Sequence, residues 1–282
     1  KITKAMQLVS TVKMKKAQQQ EVAGRPYRDM LSSVIERILP SVGMPRFPSV
    51  ETSRRDVSTK SILWQPRDKK QDRKLVVLIS SNKGLCGAFH LNLYRFILQT
   101  KLDFLKTDFV AVGSKGIQFI TRMGGKLLAD FSNAKFLDSV SAIFSYVLDG
   151  YMLGNYKSVS VVYNKYLSAF RSEPVEESLL PFEWKKEEIE ERFLFLEYFI
   201  EPPAENIIEP LLKSYLEEKI RGAIISSEAV EHAARMMAMK NATDNASDII
   251  YNLTLIGNRL RQEKITNELL DMVAARESVG TT

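Results

Sequence analysis

The chain has 282 residues, 45% hydrophobic and 26% charged, which suits a folded protein of one or two domains and excludes wholesale disorder. A single cysteine, Cys86, excludes an internal disulfide framework and a cysteine-rich zinc site, and two histidines, His90 and His232, leave little for histidine chemistry. The net charge of +6 resides in residues 1–28, where seven Lys and Arg stand against Glu21 alone; such a segment is either a solvated helix face or the partner of something acidic, whether nucleic acid, anionic lipid or a protein surface.

Residues 2–39 read as one long helix, with Ile2, Met6, Val9, Val12, Val22, Leu31, Val34, Ile35 and Ile38 recurring at steps near three and four. Pro26 lies inside this pattern and predicts a kink. The polar stretch Lys13–Gln20 predicts a helix centre that no continuous core holds. Pro40, Pro45 and Pro48 end the helix, and residues 46–72 read as an irregular connection. The chain opens in mid-pattern at Lys1-Ile2-Thr3, without a signal-peptide pattern, so further residues are expected upstream.

The character changes at Arg73. The apolar run Leu75–Ile79 predicts a buried parallel strand, followed by a turn at Ser80–Gly87 and a helix over about 88–104. Strands at 109–113, 126–131 and 158–163 alternate with helices at 115–123 and 139–153, the signature of a βαβ domain over 73–204. Residues 167–203 carry no clear pattern beyond a strand-like Phe193–Leu196 and the boundary Pro202-Pro203. From Glu205 to Arg276 the only proline is Pro210, near the start. Apolar residues from Leu212 through Ile249, Leu253, Ile256, Leu260 and Leu269 to Met272 form a coiled-coil stripe, broken at Lys240–Asn245. A helix of this length, on the order of 100 Å, outruns a compact domain and needs a long partner. The fold expected is therefore α/β: an antiparallel coiled coil of the N-terminal helix (1–45) and the C-terminal helix (205–282), with an inserted Rossmann-like domain between them. That domain is expected to fold by itself.

Catalytic signals are weak. Ser81–Gly87 follows a strand and opens a helix, as a phosphate-binding turn does, but it lacks a closing Gly-Lys-Ser/Thr and the GxGxxG spacing. A tight turn needing Gly84 and Gly87 is the simpler reading. Cys86 and His90 stand one helical turn apart, too few for a zinc site, and read as a buried thiol and a surface histidine. Glu187, Glu188, Glu190 and Glu191 read as a solvated charge run. No cofactor or metal site is expected, and a phosphate-dependent enzyme would need titratable groups converging on Ser81–Gly87 that the sequence does not offer. A nucleic-acid-binding coiled coil would need aromatic interleaving, which residues 1–26 lack.

Several segments together resemble the gamma subunit of F-type ATP synthases: Lys1–Met6, Lys13–Gln18, Arg25-Pro26-Tyr27, Lys83–Ala88, Ala234–Met239, Asn241–Ala246, Leu253-Thr254-Leu255 and Arg261–Leu269. The resemblance implies a non-catalytic rotor shaft inside a ring of alpha and beta subunits, one gamma per three catalytic chains. Its α/β domain would lie near the membrane with the epsilon subunit and the c-ring. It implies ATP synthesis coupled to hydrogen-ion transport, or else the rotor of an F-like ATPase not coupled to proton flow, with no membrane span and no nucleic acid bound. By position, Met14 with Lys13, Lys15 and Lys16 would meet an acidic loop of the catalytic subunits, and Arg235, Gln262, Thr266 and Glu268 would make other ring contacts. Gly84, Cys86 and Gly87 would form the family's structural turn. Leu269, Leu270, Met272, Val273, Ala274 and Ala275 put apolar groups nearly all round the last stretch, which predicts an enclosing bearing. The compartment implied is the cytoplasmic face of a bacterial inner membrane, with the mitochondrial matrix side as the alternative. The lack of a second cysteine near Cys86 and of a long insertion disfavours a thiol-regulated chloroplast form.

Overall fold

A computed structural model describes residues 1–38, 63, 73–100, 102–132, 135–182 and 201–280. Helix α1 spans Ile2–Ile38. The α/β region follows as β1 (Lys74–Ile79), α2 (Phe89–Gln99), β2 (Thr107–Val112), α3 (Ser114–Arg122), β3 (Lys126–Asp130), a 3-10 turn at Phe136–Ser139, α4 (Val140–Met152), β4 (Ser158–Tyr166) and β5 (Ser172–Leu180). Helix α5 spans Ala204–Gly280. At 77 residues it is roughly 115 Å long. The expected strand at Phe193–Leu196, the charge run at 187–191 and nearly all of the connection at 46–72 lie outside the described residues.

The sheet has the order β3-β2-β1-β4-β5, parallel throughout except for β5, which pairs antiparallel with β4. The expected parallel sheet is therefore present. The hairpin that adds β5 is new, because Ser172–Leu180 is rich in charge and carries Pro174, a residue that an edge strand tolerates. Alternate residues face opposite sides. Val76, Leu78, Phe109, Ala111 and Val162 pack under α2 and α3 through Leu93, Ile97 and Ile120. Leu75, Val77, Ile79, Val159 and Val161 face the other way, against α4, the end of α1 (Leu31, Ile35, Ile38) and the first third of α5 (Ile208, Leu212, Leu216, Ile220). This second core is shared between sheet and shaft. It revises the expectation of a self-sufficient α/β domain: one face of the sheet is covered by the two chain ends.

Helices α1 and α5 pack antiparallel. The Thr3 and Thr243 hydroxyls lie 2.9 Å apart, and Arg28 Nη1 lies 3.9 Å from Glu218 Oε1, so residue numbers at a contact add to about 246. The seam of α1 is Ser10, Met14, Ala17, Glu21, Leu31, Ile35 and Ile38, with the half-buried Gly24 and Arg28 completing alternate steps of four and three. This corrects the stripe expected from hydrophobicity: Ile2, Val9, Val12 and Val22 are exposed. The reason lies in α5, whose facing surface is built of small residues such as Ala229, Ala233 and Ala234, so close approach rather than apolar bulk selects the seam. The helix passes through Pro26 without interruption. Pro210 sits in the second turn of α5 rather than its first.

Burial on α5 ends near Met239, and every described side chain from Asp244 to Arg276 is exposed. The expected stripe through Ile249, Leu253, Ile256, Leu260, Leu269 and Met272 therefore has no cover within the described chain. Thr3, near the start of the given sequence, stands opposite Thr243, within the seam break expected at 240–245. Alongside the sheet, α5 runs parallel to β4, with Lys219 Nζ 3.4 Å from the Ser178 carbonyl and the Tyr166 N–H donating to Ser226 Oγ at 2.8 Å. The shaft thus leaves the domain at the C-terminal edge of the strands.

Candidate functional site: the shaft surface and the turn beneath it

At that edge the Ser80–Gly87 turn meets α5. Its polar groups are committed to the fold. Ser80 Oγ accepts from the Gly116 N–H at 2.8 Å, and Asn82 Oδ1 accepts from the Ser114 N–H at 2.8 Å while its Nδ2 donates to the Ser132 carbonyl. The glycine pattern places the conformational demand correctly at Gly87 but not at Gly84. Left-handed backbone falls at Leu85 (φ 61°) and Gly87 (φ 55°), whereas Gly84 has open space where a Cβ would stand.

Cys86 is buried as expected, but His90 is half-buried and bonded rather than a surface group. The Cys86 thiol lies 3.4 Å from His90 Nδ1, His90 Nε2 lies 2.8 Å from Ser81 Oγ, and Ser81 Oγ donates to the Lys83 carbonyl at 2.7 Å. A neutral histidine protonated on Nε2 satisfies every member of this chain. Burial raises the Cys86 pKa and lowers that of His90, so both are held uncharged. A buried, protonated thiol is a poor nucleophile, and the group is a structural relay that ties the turn to α2. The sequence shows the Cys86–His90 spacing; nothing local announces Ser81.

Arg235 closes the turn from the shaft. It is buried, with Nη2 donating to Glu231 Oε1 at 2.6 Å and to the Lys83 carbonyl at 3.2 Å, and Nε to the Gly84 carbonyl at 3.3 Å. His232 Nδ1 lies 3.3 Å from its Nη1. Burial, with the Arg235 charge adding to it, lowers the His232 pKa to about 4. Burial raises that of Glu231 despite the opposing Arg235 charge. Arg235 is thus committed to contacts within the chain.

One turn of α1 faces this region from across the seam. Lys13, Lys15 and Lys16 are exposed, while Met14 between them is buried against α5. The lysines present the charge at this level and the methionine packs. Lys13 and Lys16 also favour the charged form of Glu228, which burial opposes, so part of the basic surface is matched by acids of α5 itself. Higher up, Gln262, Thr266, Glu268, Leu269, Met272 and Val273 all lie on the exposed single helix. Thr266 donates to the Gln262 carbonyl at 2.9 Å and Glu268 lies 3.8 Å from Lys264 Nζ. Leu269 is 53%, Met272 60% and Val273 55% exposed. The fold brings Lys13–Lys16, the turn and Arg235 to one level and sets the other six apart on the extension. Among the described residues no cluster of His, Cys, Asp or Glu suits a metal ion, and no helix is long and apolar enough to cross a membrane.

A family profile described as ATP synthase matches residues 1–279. The ATP synthase gamma chains of Haemophilus influenzae (strain PittGG) and of Janthinobacterium sp. (strain Marseille) are each 34% identical over 99% of this chain and 94% of their own length. Among solved structures, a chain from the central stalk and c-ring of Tetrahymena thermophila mitochondrial ATP synthase shares the fold, with TM-score 0.58 and 22% identity over 86% of this chain and all of that one. A chain from the Euglena gracilis mitochondrial enzyme does so with TM-score 0.57 and 17% identity over 98% and 95%.

Proposed function

This chain belongs to the ATP synthase gamma-chain family, and from that premise we propose how it works as the central-stalk rotor of an F-type ATP synthase. Its partners are the alpha and beta subunits of the head, the epsilon subunit and the c-ring, with one gamma per three catalytic chains. Residues 1–45 and 205–282 form the shaft, 73–204 the foot and 46–72 their connection. The chain does no bond chemistry. It turns as a peripheral part of a membrane complex, on the cytoplasmic face of a bacterial inner membrane.

The observation that carries this reading is the uncovered extension of α5. Ile249, Ile250, Leu253, Leu255, Ile256, Leu260, Leu269, Leu270, Met272 and Val273 are all about half exposed or more, on every side of one helix. Apolar surface of that extent calls for an enclosing partner. A ring that encloses a helix can let it turn, because apolar contact lacks directional bonds. The two helices of the shaft present different side chains around its circumference, so its cross-section is asymmetric. Each catalytic subunit then meets a different face, and rotation shifts the conformational equilibrium of each in turn. Lys13, Lys15 and Lys16 engage an acidic loop of the ring transiently, each exposed pair contributing about 0–1 kcal/mol. Gln262, Thr266 and Glu268 form a polar catch, with Leu269, Met272 and Val273 in the bearing.

The test is truncation in the assembled complex. Removal of residues 274–282 should leave assembly and ATPase activity with reduced torque or yield. Removal from 258 onward should lose most ATP-driven proton pumping. If the short cut abolishes assembly while the long one leaves pumping intact, the extension does not run in a bearing.

A further inference from the structure

Midway along the α1–α5 seam, where the large residues of the shared core give way to small ones, sits a buried ionic cluster. Arg28 Nη2 donates to Glu21 Oε1 at 2.8 Å, two turns back along its own helix, and Nη1 lies 3.9 Å from Glu218 Oε1 on α5. Between Glu21 and Arg28 on the seam stands Gly24, and register sets Gly222 of α5 opposite it. Both are shaped to the guanidinium: a Cβ at Gly222 would come within 2.9 Å of Arg28 Nη1, and one at Gly24 within 3.3 Å. The guanidinium therefore occupies a notch cut in both helices.

The cluster is not arranged for stability. Among the described residues Glu21 Oε2 and Arg28 Nη1 are buried without a hydrogen-bond partner. Apolar residues of like volume would avoid that cost. Above the notch, Ala17 packs with Ala229, Val230 and Ala234. Small side chains in an unbroken four-three repeat look alike one heptad along, so they discriminate register poorly. A single buried polar position that finds its counterpart in one alignment alone supplies that discrimination.

We propose that Arg28, seated against Glu21 and Glu218 in the Gly24–Gly222 notch, is the positioning residue that fixes the sliding register of α1 on α5 above the foot. The mechanical consequence rests on the rotor reading. Torque taken up by the foot reaches the upper shaft without slip between its two helices, because a slip of one heptad, about 10 Å, would carry the arginine away from Glu218 and out of the space that Gly222 leaves for it, while Glu21, on the same helix, travels with it.

Register is read directly at the far end of the seam, where the Thr3 and Thr243 hydroxyls are 2.9 Å apart. In the full chain within its complex, Thr3→Cys with Thr243→Cys should oxidise rapidly to a disulfide. Adding Glu21→Leu with Arg28→Met, which keeps the volume and removes the key, should slow that reaction about tenfold, the scale of a lost charge-assisted bond, with thermal stability unchanged or raised. Gly222→Ala, which fills the notch with one methyl group, should slow it likewise without removing any charge, and it serves where the double replacement fails to assemble. Cross-linking in both the key variant and Gly222→Ala as fast as in the parent double-cysteine chain would overturn the assignment. If cross-linking slows but protons pumped per ATP hydrolysed stay constant, the mechanical role is refuted while the rotor reading, tested separately by truncation, stands.

Discussion

Replacing Arg235 by leucine tests how the turn is held to the shaft. The side chain is 8% exposed and bonds Glu231 and the carbonyls of Lys83 and Gly84, so its loss strands a carboxylate whose own side chain is 10% exposed. Removing one member of a buried pair costs about 3–5 kcal/mol, and the forfeited backbone bonds account for about 1–2 kcal/mol of such a loss. The charge-dependent part must vary with pH. Burial already raises the Glu231 pKa against the Arg235 charge, and in the variant nothing so close opposes it. A carboxyl with a folded pKa above its unfolded value contributes stability below the unfolded value, near 4.3, and loses it as pH rises through the folded one. Relief of His232 from the Arg235 charge acts in the same direction, because a histidine freed to protonate in the folded state resists acid better. The variant should therefore be destabilised by about 3–5 kcal/mol at pH 8 and by progressively less as the pH falls toward 5. Adding Glu231→Gln should bring the pH 8 loss down toward the pH 5 value. Urea unfolding of the full chain across this range measures it. A loss below about 1 kcal/mol at pH 8, or one independent of pH, would refute the clamp.

Three further outcomes follow from the packing. The isolated segment 73–182 should fail to give a cooperative melt, because Leu75, Val77, Ile79, Val159 and Val161 would lose the cover of α1 and α5; a sharp, monomeric thermal transition would restore the autonomous domain. Cys86, buried and with a raised pKa, should be alkylated at pH 8 only as fast as the chain opens; rapid stoichiometric labelling of the native protein would contradict the relay with His90 and Ser81. Gly113→Ala should cost about 1–3 kcal/mol by equilibrium unfolding, since φ is 98° and the added Cβ would stand 2.8 Å from Ser80 Oγ; a neutral effect would contradict that geometry.

Local sequence determined the elements. The run Leu75–Ile79 read as a buried parallel strand and Ser158–Tyr163 as a further strand, and 70 residues of near-continuous helical pattern after Glu205 could not fit inside a compact domain. The charge of residues 1–28 and the apolar character of the tail also followed from residue order alone, as did the terminal motifs that mark the family. Which residues form the seam did not. Val9, Val12 and Val22 carry more hydrophobicity than Ser10, Ala17 and Glu21, yet they are exposed. The seam is chosen by the small residues that α5 presents some 200 positions away in sequence, a property of the pair and not of either helix. The same holds for Arg235 and Ser81, whose partners lie on other elements, and for Arg28, an ordinary surface residue by composition that the register carries into a notch between two glycines. Periodicity gives a helix its faces; only the packed partner decides which face is buried, because close approach depends on the shape of both surfaces at once.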